Sequence, residues 1–537
     1  MYYVIVSGGV ISGLGKGITA SSIGLLLQSH GFDVTAIKID PYLNVDSGTM
    51  SPFEHGECYV LDDGGETDLD LGNYERFLGI NLTKAHSLTS GKVYKSVIDK
   101  ERKGDYLGQT VQILPHVTDF IQSYISDTAK IPVDGDKVPN VCIIELGGTV
   151  GDHEGNIYME ALSEFSKSNN CCFVHVSLVP VIHGNEIKTK PTQHSMKCIR
   201  SMGVDPDLLI LRCERMLTQS ETAKMSKFCK IGSDRIIINE NVPTIYEVPR
   251  LFYKQSIMKT MFKVLGINPD VVQQADLSKY YSLLSHFSDN ASSPICTVGI
   301  VGKYIGMQDT YLSLIRALDH ASYVKKCRLV IQWVDSEDIG TLESKLGTVD
   351  GVIIPGGFGD RGIEGMVLAA KLCRERRIPL FGICLGMQIM CIELDRNVLG
   401  CVGATSEEFD PNAIYKTVVL SEAKTDMGAT MRLGSYVCRI ENGSLAKRLY
   451  GSDTISERHR HRYEISDRFV NLLTRNSSFK VTGRDTSGRY VEMIENGEID
   501  DSPFWLGCQF HPEFKSRHSI GHPLFVGFLS SCLVDRK

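Results

Sequence analysis

The 537 residues contain no CxxC pair and no Cys/His spacing of the kind that holds zinc. The 16 cysteines are scattered instead, a poor disulfide framework for a chain of this size, which points to a reducing compartment. Positive charge is not in excess either: the formal net charge is −7. A general nucleic-acid binder needs a basic surface to displace counterions, so the charge argues against that class, while local sites for small anions are not excluded. Long hydrophobic runs are missing as well. The longest, around Cys171–Ile182, is broken by His175 and Ser177 and is too short to span a bilayer. Internal repeats and low-complexity tracts are absent. The opening MYYVIVSGG lacks a basic n-region and runs into a glycine loop, so it does not read as a signal peptide. These absences predict a cytoplasmic protein without membrane or nucleic-acid partners. What remains is an ordinary globular balance, 42% hydrophobic and 23% charged, over a length that predicts two to four domains.

Two segments open alike. Tyr2–Ser7 is a β-rich run ending in Gly8-Gly9, and Thr297–Val301 is another ending in Gly302. Strand-like runs recur at Val34–Ile39, Val141–Glu145, Cys172–Leu178, Leu208–Leu211 and Arg235–Ile238, and again at Leu329–Trp333, Gly351–Ile354 and Pro379–Cys384. Helical stretches separate several of them, an alternation that favours parallel sheets with crossover helices. A polar stretch between Gly266 and Pro294 lacks strand signals and reads as a linker. The expected division is residues 1–266, a linker over 267–294, and residues 295–537. The densest charge cluster, Glu457–Arg462 (ERHRHR), reads at face value as a solvated turn or helix face.

Val4–Ile18 runs strand, SGGVISGLGKGI, helix. Its glycines let backbone N–H groups converge on an anion, and a helix N-terminus would add partial positive charge. Lys16 could then reach the β- and γ-phosphates of a nucleotide. The pattern departs from G-x-x-x-x-G-K-[ST]: Val10 stands at the first Gly and Gly17 at the Ser/Thr. A Mg²⁺ ligand must therefore come from elsewhere. Asp70, in ETDLDLGNYERF, and Glu145, which ends a buried-type strand, are the candidates, since Mg²⁺ takes one or two carboxylates plus phosphate oxygens and water.

Residues 378–388 give G-x-C-x-G after an apolar strand, the cysteine counterpart of a nucleophile elbow, with Cys384 as nucleophile. A helix N-terminus after it would favour the thiolate. Downstream, CQFHPE supplies His511 and Glu513 two apart, which strand alternation would place on one face as general base and orienter. Upstream, Pro355–Gly359 (PGGFG) offers backbone N–H groups for an oxyanion hole.

On these motifs, residues 297–530 resemble a class I glutamine amidotransferase domain. The blocks SGGVISGLGKG, KIDPYLNVDSGTMSPFEHGE (38–57), ETDLDLGNYERF, GDYLGQTVQ (104–112), ELGGTVGDHE (145–154) and EIKTKPTQHS (186–195) together resemble the CTP synthase family over essentially the whole chain. The resemblance implies an α/β fold of two doubly wound, mostly parallel-sheet domains, a phosphate-loop amidoligase domain plus a class I glutaminase domain. It implies that Gly13, Leu14, Gly15, Lys16, Gly17 and Ile18 hold ATP, with Arg212 near the adenine, Asp70 and Glu145 on Mg²⁺, and Lys38 near the transferring phosphate. Ser12, Lys188, Thr189, Lys190, Gln193 and Lys224 would bind UTP, and Asp152, His153 and Glu154 would belong to the pocket where product CTP inhibits. His55 would gate an ammonia channel. Gly357, Leu385, Gln388, Glu408 and Arg462 would position glutamine around Cys384, a sharper role for part of the ERHRHR run. The family's GTP activation would involve Arg361 and 427–434 (MGATMRLG, with Thr430 and Arg432). A homotetramer, and filaments built from it, are further implied.

Two alternatives stand beside this reading. Another phosphate-loop amidotransferase, such as a cobyrinic acid amidase, would share both motifs but has no evident use for KTKPTQHS and Lys224. A catalytically silent assembly protein would be free to lose Lys16, Asp70, Glu145, Cys384, His511 and Glu513, all of which are present.

Overall fold

The computed structural model describes every residue except 10, 183–185, 279, 282–283, 285–292, 422–430, 477, 498–502 and 535–537. The chain packs as two compact units that are not collinear with the sequence. Met1–Thr49 and Asp70–Leu284 form the first, and Met50–Leu69 joins Ser285–Lys537 in the second. Within the stretch expected as a linker, Leu277, Tyr280 and Leu284 are buried side chains of the first unit.

The first unit is built on seven parallel strands in the spatial order Ile236–Asn239, Leu208–Arg212, Asn170–Leu178, Tyr2–Gly8, Val141–Leu146, Val34–Asp40 and Ser87–Thr89. Most are continuous Val/Ile/Leu/Cys runs without alternation, as expected of strands covered on both faces. Val34–Asp40 and Val141–Leu146 are buried at every position. The chain first crosses from Tyr2–Gly8 toward one edge of the sheet and later continues toward the other. The order therefore reverses at Tyr2–Gly8, and its carboxyl end opens the crevice where such sheets bind ligands.

The second unit carries nine strands. Five are parallel, Arg328–Asp335, Ile295–Gly302, Gly351–Ile354, Leu380–Ile383 and Trp505–Cys508, and four continue the sheet antiparallel, Val491–Asn496, Phe479–Asp485, Arg432–Ile440 and Thr454–His461. Apolar cores cover both faces. The short hairpin of Tyr59–Val60 and Glu66–Thr67 belongs to this unit.

The run read as a solvated face is instead the strand Thr454–His461, in which Glu457, Arg458, His459 and His461 are buried. Distant residues neutralise it, which is why adjacent sequence gave no hint. Asp62 pairs with Arg458 at 2.6 Å and Glu66 with Arg460 at 2.7 Å. His459 Nδ1 lies 3.0 Å from His461 Nε2, and His459 Nε2 lies 3.6 Å from Glu492.

Candidate active sites

At the carboxyl end of Tyr2–Gly8, the loop turns through Gly15 (φ 84°) into the helix Lys16–Ser29. Lys16 is buried and donates to the carbonyl of Gly148 at 2.5 Å. Lys38, at 4% exposure, donates to Asp70 and to Glu145, the latter at 2.9 Å. Burial alone would depress the Lys38 ammonium, but Asp70, Glu145 and Asp40 outweigh it and hold its pKa well above the usual range. Lys16, by contrast, is lowered by burial and by the charge of Lys38.

Gly17 explains the broken motif. A Cβ there would overlap Asp70 Oδ1, and would sit 3.1 Å from Asp70 Cγ and 3.4 Å from Glu145 Oε2. The two carboxylates occupy the space that a Ser or Thr side chain would need. Two convergent carboxylates beside a phosphate loop are a donor set that suits Mg²⁺.

Two of the sequence blocks, ELGGTVGDHE and EIKTKPTQHS, reach the strand that feeds this loop. Val150 N–H donates to Gly8 O at 2.8 Å, and Gly147 N–H to Ile39 O at 2.7 Å. In the sequence His175 only interrupts an apolar run. It is fully buried, and it bridges Ser7 Oγ at 3.0 Å and Ser195 Oγ at 2.6 Å. It thus pins the helix Lys190–Ser201, which carries KPTQHS, to the strand that feeds the phosphate loop. A polar residue inside an otherwise apolar strand was the available signal.

Burial, reinforced by Lys16, lowers the His175 pKa to about 3. The unfolded chain binds this proton below about 6.5 and the folded chain does not. Stability is therefore lost as pH falls from about 6.5 toward 3. Replacing His175 with Gln is expected to destabilise the protein at pH 7, with the gap to wild type narrowing as pH falls. Denaturant midpoints across that range check this, and a constant gap would contradict the neutral, depressed imidazole.

Other candidates lie around the same unit. Ser12, Lys190, Lys224, Asp152, His153 and Glu154 are exposed, whereas Thr189 is buried and accepts from Gln193 Nε2 at 2.8 Å. Lys188 pairs with Glu186 at 2.8 Å. Arg212, at a strand end, donates to the carbonyls of Cys213 and Asn239 and to Asn241 Oδ1. His153 and Glu154 line a largely apolar cavity of about 580 Å³ with Leu43, Tyr94 and Leu114.

In the second unit, Cys384 caps the helix Leu385–Asn397 with φ 52° and ψ −103°, a backbone state that costs a non-glycine residue about 1–3 kcal/mol. Its N–H donates to Cys508 O at 2.7 Å. The elbow needs its small neighbours: a Cβ at Gly386 would overlap the carbonyl of Ile354. Gly386→Ala is expected to destabilise by about 1–3 kcal/mol. The denaturant midpoint should fall with an unchanged m-value, and an unchanged midpoint would mean the turn relaxes freely.

His511 Nδ1 meets Glu513 Oε1 at 2.7 Å. The strand geometry expected for this pair is not what joins them. Trp505–Cys508 ends three residues earlier, and Pro512, which cannot donate to a ladder, opens a 3₁₀ turn over Pro512–Lys515 that brings the carboxylate back to the ring. Burial opposes protonation of His511, but Glu513 and Cys384 prevail and raise its pKa to about 10. This favours an imidazolium beside the Cys384 sulfur.

Around the nucleophile, Gln388 Nε2 donates to Tyr463 O and to Gln509 Oε1, both at 3.2 Å, and Gln509 Nε2 reaches Cys384 Sγ at 3.7 Å. Leu385 packs on Gly357. Glu408 accepts from Gly359 N–H at 2.8 Å. Lys303, which belongs to no sequence motif, follows the strand Ile295–Gly302 directly and donates to the carbonyls of Phe358 and Gly359 at 3.0 and 2.7 Å. Burial lowers its pKa to about 8, against the pull of Glu408. It fixes the glycine loop expected to hold the oxyanion.

Arg462 and His55 are exposed, His55 at the end of the short helix Pro52–His55. Arg361 pairs with Glu337 at 2.8 Å. Of the segment assigned to GTP, residues 427–430, Thr430 included, lie outside the described residues. Arg432 is buried between Glu464 at 3.2 Å and Glu492 at 2.7 Å.

The pocket at Cys384 is lined by Gly356, Phe358, Arg460, His511 and Glu513, together with Glu57 and Cys58 from the 50–69 segment. No helix among the described residues is long and apolar enough to cross a membrane.

Comparison with known proteins completes the assignment. A family model described as CTP synthase N-terminus matches residues 2–267, and one described as glutamine amidotransferase class-I matches residues 307–531. A CTP synthase of Dictyostelium discoideum is 46% identical over 100% of both chains. One of Methanothermobacter thermautotrophicus is 46% identical over 99% of this chain and 98% of its own length, and one of Acidobacterium capsulatum is 45% identical over 100% and 96%. The chain belongs to the CTP synthase family.

Proposed function

We propose that the protein converts UTP to CTP with ATP and with ammonia released from glutamine. The observation that carries the reading is the bridge Ser7–His175–Ser195, which ties the helix carrying KPTQHS, read as part of the acceptor site, to the strand feeding the loop read as the ATP site. A corrinoid acceptor has no evident use for KTKPTQHS and Lys224.

Uracil O4 is a poor leaving group. Transfer of the γ-phosphoryl group of ATP to O4 yields a 4-phosphoryl intermediate and ADP. Lys16 and Lys38 offset the charge on the transferring group. Asp70 and Glu145 would hold Mg²⁺, which supplies charge neutralisation at the phosphates. Ammonia attacks C4, and phosphate leaves with the O4 oxygen.

At the other site the Cys384 thiolate attacks the glutamine amide carbon, and the negative charge moves to the carbonyl oxygen opposite backbone N–H groups of the 355–359 loop. The His511 imidazolium, oriented by Glu513, gives its proton to the departing ammonia, leaving a thioester. Neutral His511 then draws a proton from water, which releases glutamate. Gly357, Leu385, Gln388, Glu408 and Arg462 would position glutamine, and Arg212, Ser12, Lys188–Gln193 and Lys224 the nucleotides. CTP inhibition at Asp152–Glu154, GTP activation, a gate at His55, a homotetramer, filaments and a cytoplasmic location belong to the same reading and rest on the family resemblance.

The test is direct. Purified protein with UTP, ATP, Mg²⁺ and glutamine, supplemented with GTP, is followed by ultraviolet absorbance for conversion of UTP to CTP. Formation of CTP supports the reading. Absence of CTP with glutamine and with ammonium chloride alike would overturn the acceptor assignment.

A further inference from the structure

The 50–69 excursion does more than line the Cys384 pocket. Its Tyr59 is fully buried, and the hydroxyl donates to the carbonyl of Phe514 at 2.8 Å, on the 3₁₀ turn that holds Glu513. The same hydroxyl accepts from Arg458 Nη1 at 3.0 Å. Arg458, also fully buried, donates from the same Nη1 to Val60 O at 3.0 Å and from Nε to Asp62 at 2.6 Å, and its backbone carbonyl accepts the N–H of His511 at 2.7 Å. The rings repeat this connection. Tyr59 meets Phe514 edge-on at 5.1 Å, and Phe514 stacks on His511 at 5.1 Å and 21°. Lys515 closes the turn onto Asp62 at 3.4 Å.

Two backbone anchors of the His511–Glu513 turn thus connect to residues that touch the hairpin. The N–H ahead of the imidazole runs through Arg458, and the carbonyl after the carboxylate runs through Tyr59. We infer that Tyr59, seated against Arg458, is a positioning residue of the glutaminase: it holds the turn that sets the imidazole of His511 against both Cys384 and Glu513. The inference rests on the glutaminase reading given above. It assigns a working part of glutamine hydrolysis to a segment whose sequence neighbours belong to the ATP-binding unit.

Tyr59→Phe keeps the ring and removes only the hydroxyl. Phe514 O retains the donor Arg517 Nη1 at 3.1 Å, and Arg458 keeps Val60 O and Asp62, so the variant is expected to fold. A matched thermal unfolding curve checks that. Two readouts then apply. The first is glutamine hydrolysis, where kcat should fall on the order of tenfold or more with little change in KM, as expected when a catalytic group is displaced while the substrate pocket stays intact. The second is the rate of Cys384 alkylation by iodoacetamide at pH 7, followed by peptide mass spectrometry, which should fall in the variant as the imidazole of His511 moves off the sulfur.

A purely structural role would shift the unfolding curve and leave that rate in place. If the wild type hydrolyses glutamine and the variant matches it in both alkylation rate and kcat, the positioning role is overturned and the glutaminase reading stands. If the wild type shows no glutamine hydrolysis that alkylation of Cys384 abolishes, the glutaminase reading fails and takes the inference with it.

Discussion

Cys384→Ala is expected to abolish CTP formation from glutamine, by a factor of about 10⁴ or more, while formation from ammonium chloride continues. Removal of a nucleophile that works with a general base and an orienter as one unit forfeits nearly the whole contribution of the unit. Here the unit is tightly defined. Cys384 is held in a strained turn at a helix N-terminus, His511 is charged up by its neighbours, and Glu513 fixes the ring at 2.7 Å. Alanine relieves the unfavourable φ only slightly and leaves the fold of the elbow to Gly382 and Gly386, so the loss is chemical rather than structural. The measurement is a pair of rate curves against each nitrogen donor. Residual glutamine-dependent synthesis near the wild-type rate would mean that another thiol carries the hydrolysis. Loss of the ammonia-dependent rate as well would mean that the substitution had damaged more than the glutaminase.

Gly17→Ser should also be damaging, at the other site and against the usual logic of phosphate loops. The substitution restores the residue type that most such loops carry at this position, where a hydroxyl serves the metal. In this protein the place is already filled: any Cβ at residue 17 overlaps Asp70, and Glu145 is next to it. Accommodation must either push the carboxylates away from the phosphates or move the start of the helix Lys16–Ser29, and Lys16 with it. Displacements of about 1 Å at groups that stabilise a transferring phosphoryl group cost about 100-fold. The expected result is a fall of that order in CTP formation with both nitrogen donors, while glutamine hydrolysis at Cys384 is retained. Wild-type activity in Gly17→Ser would show that the carboxylates yield readily, and would remove the reason for reading Gly17 as obligatory.

The strands were legible because buried parallel strands advertise themselves. Runs such as VCIIEL and LLILR leave little else for the chain to do, and their bounds in the structure differ from the expected ones by one or two residues. The elbow at Cys384 was legible for a similar reason, since the steric demand for glycine on both sides is local. Elsewhere the determinants are far apart in sequence. Nothing adjacent to ERHRHR announces that Asp62 and Glu66 neutralise it, so its charges suggested solvent. His511 and Glu513 were paired through the wrong geometry, because a strand and a proline-opened turn can both bring residues two apart together. His175 and Lys303 carry no motif, and their roles appear only once Ser195 and the 355–359 loop are seen beside them.

The hairpin around Tyr59 also has a consequence in time. Asp62 and Arg458 are separated by 396 positions. During synthesis at about 5–20 residues per second, Asp62 leaves the ribosome roughly 20–80 seconds before its partner. The first unit can complete its parallel sheet in that interval, but the loop interrupting it between Thr49 and Asp70 cannot reach its own final packing. The nascent chain therefore carries an unfinished segment through more than half of its translation. The glutaminase becomes competent only when the last strands close over a piece made near the beginning.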